Sequence, residues 1–385
     1  MASPHTRGRP QTQNAQIMGW NVQTNRFDKT WNYVVTAMGS AAIFATGMMV
    51  ASAQNTPAPP PAATVKPASS LDNLPHNDIS NGIVTAKVYL PGENGLYRGT
   101  RFDRTGVVAQ ATYKGHNFGQ YWFSSQSAAV HDFIWQNGQV TVSTASGAPG
   151  PVEEFTTIGY DEAGAGGKFL KIGIGILKRG PETYDFVHTY PVVNEGKRSS
   201  SATKTSVRLT HNLSDADTGY GYSYVKTVRL VPGKAQMVIE HELKNTGTKP
   251  IDTAVYCHNF LTLSTGNENV AITAPFNITA AKPFTPGAAE VSGKTIRYLR
   301  AVKEGESVTS PISGFGTQVS DYDFKVTNTK TGFGQRIRAD QPLSRINFWS
   351  IRTNVSWEPY IAISLKPGES KKWTYTYDYF GPGEG

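Results

Sequence analysis

Trp373 to Phe380 reads WTYTYDYF. Side chains of a β-strand alternate between two faces, so Trp373, Tyr375, Tyr377 and Tyr379 share one face and Thr374, Thr376 and Asp378 the other. A helix would scatter these four aromatics around its circumference. The same alternation recurs upstream. Tyr224 to Val231, YVKTVRLV, sets Val225, Thr227, Arg229 and Val231 on one face, and Gln236 to Leu243, QMVIEHEL, alternates again. Val207 and Leu209 share a face. Ile83, Thr85, Lys87 and Tyr89 alternate with Val84, Ala86, Val88 and Leu90. Turn signals, VPGKAQ at Val231 to Gln236 and KNTGTKP at Lys244 to Pro250, bracket the QMVIEHEL strand. No long segment carries a capped 3.6-residue period, and no fixed-period repeat points to a propeller or solenoid. The pattern predicts an all-β sandwich with little helix.

Composition agrees. The chain has 385 residues, of which 38% are hydrophobic and only 17% charged, enough for a large core between short strands. The formal net charge of +8 is spread thinly. No basic block interleaved with aromatics occurs, so nucleic-acid binding is not expected. Cys257 is the only cysteine, which excludes an intramolecular disulfide and a cysteine-based zinc site. Its apolar surroundings predict a buried small hydrophobe.

The N-terminal region reads as a targeting segment. Tyr33 to Val50, YVVTAMGSAAIFATGMMV, is uncharged and follows Arg26 and Lys29. Ala51-Ser52-Ala53 then supplies a small-residue cleavage site. Residues 1–53 are expected to be a signal peptide and the protein periplasmic or secreted. The alternative is a membrane anchor formed by residues 33–53. Residues 54–75, rich in proline and alanine, read as a linker. Residues 76–385 are expected to form a single domain.

Several short motifs could carry chemistry. AVYCHNFLTL, Ala254 to Leu263, delivers His258 and Asn259 at the end of an apolar strand. A histidine so placed can serve as a general acid, or be a core histidine bonded to a backbone carbonyl. In VSWEPYIAISLKPGE, Val355 to Glu369, Glu358 lies between Trp357 and Pro359-Tyr360. Aromatic flanks can desolvate a carboxylate and raise its pKa toward a useful base, whereas a strand-edge glutamate would simply be solvated. YRGTRFDRTG, Tyr97 to Gly106, crowds Arg98, Arg101, Asp103 and Arg104. Arg101 and Asp103 could bind sugar hydroxyls or form a surface ion pair. Glu153 and Glu154 in GPVEEF, with Lys171, Lys178 and His188, are further polar candidates. The glycines of GIGIL lack the GK[ST] of a phosphate loop.

The chain end, SLKPGESKKWTYTYDYF, resembles the closing strands of the aldose 1-epimerases, or galactose mutarotases. AVYCHNFLTL is similar to their central histidine motif, and WEPY to a late glutamate-proline, in the family's order. The resemblance spans roughly Ile83 to Phe380. It implies a galactose-mutarotase-like supersandwich, two large antiparallel sheets packed face to face. It implies interconversion of sugar anomers with Glu358 as base and His258 as acid on opposite sides of the ring, without metal or cofactor. Trp357 and Trp349 would stack on the sugar, and Asn259 would contact it. The family's second histidine, in a histidine-glycine-glycine context, has no match, so the second sugar clamp falls to Glu154, Lys171 or His188. Two alternatives remain on the same fold: a non-catalytic carbohydrate-binding module, and a lyase-like polysaccharide-processing protein.

Overall fold

The computed structural model describes residues 66–385. The expected signal or anchor segment and linker residues 54–65 lie outside the described residues. Packing begins ahead of residue 76: Lys66–Pro67 pairs with Ser125–Gln126, and Leu71 is buried.

Seven strands position the site: Val152–Phe155 (β1), Tyr220–Leu230 (β2), Gln236–Asn245 (β3), Ile251–His258 (β4), Arg345–Ile351 (β5), Asn354–Leu365 (β6) and Ser370–Phe380 (β7). β2, β3 and β7 are neighbours in a ten-stranded sheet; β5, β6, β4 and β1 run in that order to the end of a six-stranded one. The pairings among these strands are antiparallel. Helix among the described residues is confined to Tyr160–Ala163 and two short 3-10 segments.

β7 behaves as its alternation predicts. Trp373, Tyr375, Tyr377 and Tyr379 are buried, while Thr374, Thr376 and Asp378 are half-buried. The aromatic stripe meets the six-stranded sheet. The ring of Trp373 is 6.2 Å from that of Phe155 on β1, and Tyr377 donates to the Cys257 sulfur on β4 at 3.2 Å. The two large antiparallel sheets thus pack face to face around one core, and Cys257 is buried in it. Each large apolar side chain sealed there contributes roughly 1.5–3 kcal/mol.

β2 holds a surprise. Its outward set is Val225, Thr227 and Arg229, and its buried set is Tyr222, Tyr224, Lys226, Val228 and Leu230. A lysine in an inter-sheet core requires counter-charges. Between β3 and β4 the chain crosses from the larger sheet to the smaller, so the turn at Lys244 to Pro250 joins layers rather than neighbouring strands.

Candidate functional site

The outer face of the six-stranded sheet carries the site, and strand register builds it. β1 pairs with β4 so that Glu154 lies opposite Tyr256 and Val152 opposite His258. β4 pairs with β6 with Tyr256 opposite Tyr360. β6 pairs with β5 with Tyr360 opposite Arg345 and Glu358 opposite Asn347. One cross-strand row therefore reads Glu154, Tyr256, Tyr360, Arg345. The next reads Val152, His258, Glu358, Asn347. Strands lie about 4.8 Å apart, so neighbours in a row touch. A side chain at position 150 would collide with the His258 carbonyl oxygen, which is why glycine stands where the chain enters β1.

His258 and Glu358 meet directly, Nε2 to Oε1, at 3.2 Å. They are only 2% and 4% exposed. Asn347 donates to the second Glu358 oxygen at 2.8 Å. Burial pushes the Glu358 carboxyl up to about 7, against the pull of Asn347 and Arg101. Burial, helped by the Arg101 charge, holds the His258 imidazole well below its usual value. In such surroundings a proton shared by the pair rests on the carboxyl, leaving both groups neutral. The imidazole is held from several sides. Phe260 stacks on it at 3.6 Å, Trp349 meets it edge-on at 5.4 Å and Phe102 at 5.6 Å. Phe260 reaches back by taking φ +43°, a left-handed conformation that costs a bulky residue on the order of 1 kcal/mol or more.

A second polar group lies in the adjoining row. Glu154 accepts from Tyr256 at 2.6 Å, from Arg101 Nε at 3.0 Å and from the Lys171 amine at 3.2 Å. Lys171 also donates to the Tyr184 hydroxyl at 2.7 Å. Burial alone would raise Glu154, but Lys171 and Arg101 outweigh it and hold the carboxyl below its usual value. Burial pulls the Lys171 amine down against the attraction of Glu154. The Arg101 guanidinium lies between the rings of Phe102 and Phe186, at 4.6 and 4.4 Å. At the rim, exposed Arg345 lies flat on Tyr360 at 3.8 Å, and Tyr360 packs on Tyr256 at 4.4 Å.

His258, Glu358, Arg101, Glu154 and Lys171 thus share one face. Several sequence expectations need correction. His258 and Glu358 touch, so no sugar ring fits between them. Asp103 turns into the core, where its carboxylate bonds Lys226 at 2.7 Å and offers nothing to a ligand. Trp357 points inward, packed on Phe324 and Phe348 at 4.8 and 5.8 Å, because alternation along β6 puts it opposite to Glu358. His188 is exposed, with its ring edge-on to Tyr190 at 4.7 Å. Asn259 is buried and occupied: its amide donates to the Trp357 carbonyl at 2.9 Å and accepts from Tyr377 at 3.2 Å. Trp349 stays on the site face, half-buried.

Tyr256, Tyr360, Asn347 and Arg345 were missed. Period two could have found the first three, since each stands two residues from a residue already chosen. Among the described residues, no group of three or more histidine, cysteine, aspartate or glutamate side chains is arranged to hold a metal. Two surface depressions lie elsewhere, one lined by Asp78, Lys87 and Gln110, the other by Lys168, Asp217 and Tyr220.

No protein-family model matches the chain, and neither does any curated protein sequence. The solved structures similar to it are consistently galactose-mutarotase-like or aldose-epimerase-like proteins. An aldose epimerase homologue of C. elegans is 13% identical with a TM-score of 0.44, covering 80% of this chain and 99% of its own. A galactose mutarotase-like protein of Clostridium acetobutylicum is 9% identical with a TM-score of 0.47, covering 83% and 99%. Another, of Lactobacillus casei ATCC 334, is 12% identical with a TM-score of 0.43, covering 79% and 100%.

Proposed function

We propose that the protein is an exported aldose 1-epimerase-like isomerase that interconverts the anomers of a free or terminal sugar. The observation that carries this reading is the buried His258–Glu358 contact, with a carboxyl whose pKa is about 7. Groups tuned near the working pH are the efficient proton carriers. A cyclic hemiacetal bears its hydroxyl and its ring oxygen on the same carbon. Two touching groups suit it better than two groups across the ring.

In the neutral pair, His258 Nε2 takes the proton of the anomeric hydroxyl while the Glu358 carboxyl gives its proton to the ring oxygen. The bond from the anomeric carbon to the ring oxygen breaks, and the hydroxyl becomes a carbonyl. The pair is left as imidazolium and carboxylate. After the carbonyl turns, both transfers run backward and close the ring on its other face. The roles in the opening step are thus the reverse of those the sequence suggested, because burial favours the uncharged pair. Arg101, Glu154 and Asn347 would bind sugar hydroxyls, and Trp349 would offer its ring edge. Export rests on the Tyr33–Val50 segment and on Ala51-Ser52-Ala53.

The test is anomer interconversion by the full chain, followed by polarimetry or proton NMR for a series of aldoses. Acceleration over buffer is expected. It should decline as pH rises through about 7, where the pair loses its proton, and Glu358→Gln should lower it by about 10² or more. No acceleration for any sugar would sink the reading. A second reading, a carbohydrate-binding protein without turnover, is favoured by one observation: both members of the pair are almost sealed from solvent. Saturable sugar binding without acceleration would establish it. A lyase-like activity would instead release unsaturated products from a polysaccharide.

A further inference from the structure

We propose that Lys226, in the core between the two large sheets, is a positioning residue that sets the Arg101–Glu154 pair on the outer face. The inference builds on the reading of that face as the working site. Lys226 belongs to β2, in the opposite sheet. Its amine donates to Asp103, to Glu153 and to the Gly106 carbonyl, each at 2.7 Å. Those three acceptors use all three ammonium hydrogens.

The two carboxylates are sequence neighbours of the outer-face pair. Asp103 stands two residues beyond Arg101, and Glu153 precedes Glu154. Each motif sends one charged group outward and one inward. The Asp103 amide donates to the Glu153 carbonyl at 2.8 Å, clasping the two segments together. The Asp103 carboxylate also accepts from the Thr105 amide at 2.7 Å, fixing the turn that follows Arg101. The second Glu153 oxygen faces Nε2 of His241 at 3.5 Å, and the His241 ring is stacked on Trp373 at 4.7 Å. The inward groups are thus held from the ten-stranded sheet by the Lys226 amine.

Stability does not require such a cluster. Well-packed apolar side chains of similar volume often serve a core as well as a buried ion group, or better. What apolar packing lacks is direction. Hydrogen bonds weaken steeply beyond a few tenths of an ångström or when bent, so a triad anchored on Lys226 fixes segment 101–106 and β1 closely enough to keep the 3.0 Å bond from Arg101 to Glu154.

The experiment reads Arg101 directly and needs no substrate. In arginine-labelled full-length protein, the Arg101 Nε–H signal is assigned by its loss in Arg101→Lys, and its solvent exchange is measured by NMR. The triple variant Asp103→Leu, Glu153→Leu, Lys226→Met removes the charges together and leaves no carboxylate stranded. We expect a faster Arg101 Nε–H exchange by tenfold or more, read against the exchange of the β1 backbone amides so that any loss of global stability from the unpaired Thr105 amide and Gly106 carbonyl is taken out. Unchanged exchange in that folded variant would overturn the proposal and leave the cluster a core feature only. Should the triple variant not fold, Lys226→Arg decides. Its larger planar group keeps the charge but cannot reproduce the three bonds, so a tenfold faster exchange supports positioning and an unaltered signal refutes it. Failure of sugar turnover would bear on the proposed isomerase alone.

Discussion

Replacing Glu358 by glutamine tests the burial of the proton-carrying carboxyl through stability. One carboxyl oxygen lies on His258 and the other accepts from Asn347; burial lifts the pKa from 4.5 to about 7. The folded protein therefore holds this proton to a higher pH than the unfolded chain does. The resulting stabilisation is fully present below pH 4.5 and is lost as pH rises through about 7. At 1.36 kcal/mol per unit, the gap corresponds to about 3 kcal/mol. Glutamine fills nearly the same space, can donate to His258 and accept from Asn347, and does not titrate. The unfolding free energy of Glu358→Gln should therefore gain about 3 kcal/mol on the wild type between pH 4.5 and pH 8. Buried His211 and His241 are held below their usual values by desolvation, so each destabilises the fold toward acid. They do so in both proteins and cancel in the difference. Urea unfolding with linear extrapolation at half-unit pH steps measures that difference. Parallel curves for the two proteins would refute a raised carboxyl at position 358.

Three further outcomes are expected. Asn347→Ala removes the 2.8 Å bond that favours the ionised Glu358, so the pH at which anomerisation declines should rise by about one unit; a pH–rate profile checks it. Trp357→Ala should cost about 3–5 kcal/mol in urea unfolding, because its ring is sealed between Phe324 and Phe348. A loss of sugar affinity from the still-folded variant would contradict its inward placement. Cys257 should resist thiol reagents in the native protein and react fully in denaturant: it is buried, and desolvation pushes its thiol well above the usual range.

Much of this was legible in the sequence because alternation is local. The stripe Trp373, Tyr375, Tyr377 and Tyr379 declares a strand with one apolar face, whatever it packs on. His258 and Glu358 stood out from their apolar surroundings. Which face of each strand looks inward is a different matter, since it depends on what arrives from elsewhere in the chain. Alternation put Val225, Thr227 and Arg229 of β2 on one face without telling which way it looks; the face with Lys226 points inward, where Asp103 and Glu153 reach it from segments far away in sequence. Trp357 and Asp103 read as ligand contacts and became core for the same reason. The side-by-side meeting of His258 and Glu358 follows from register between β4 and β6, strands separated by about a hundred residues. By itself the sequence determined the all-β architecture and which residues were chemically able to act. Tertiary structure decided which of them face one another, because a pKa near 7 and a 3.2 Å contact arise from burial and register, and no single segment carries either.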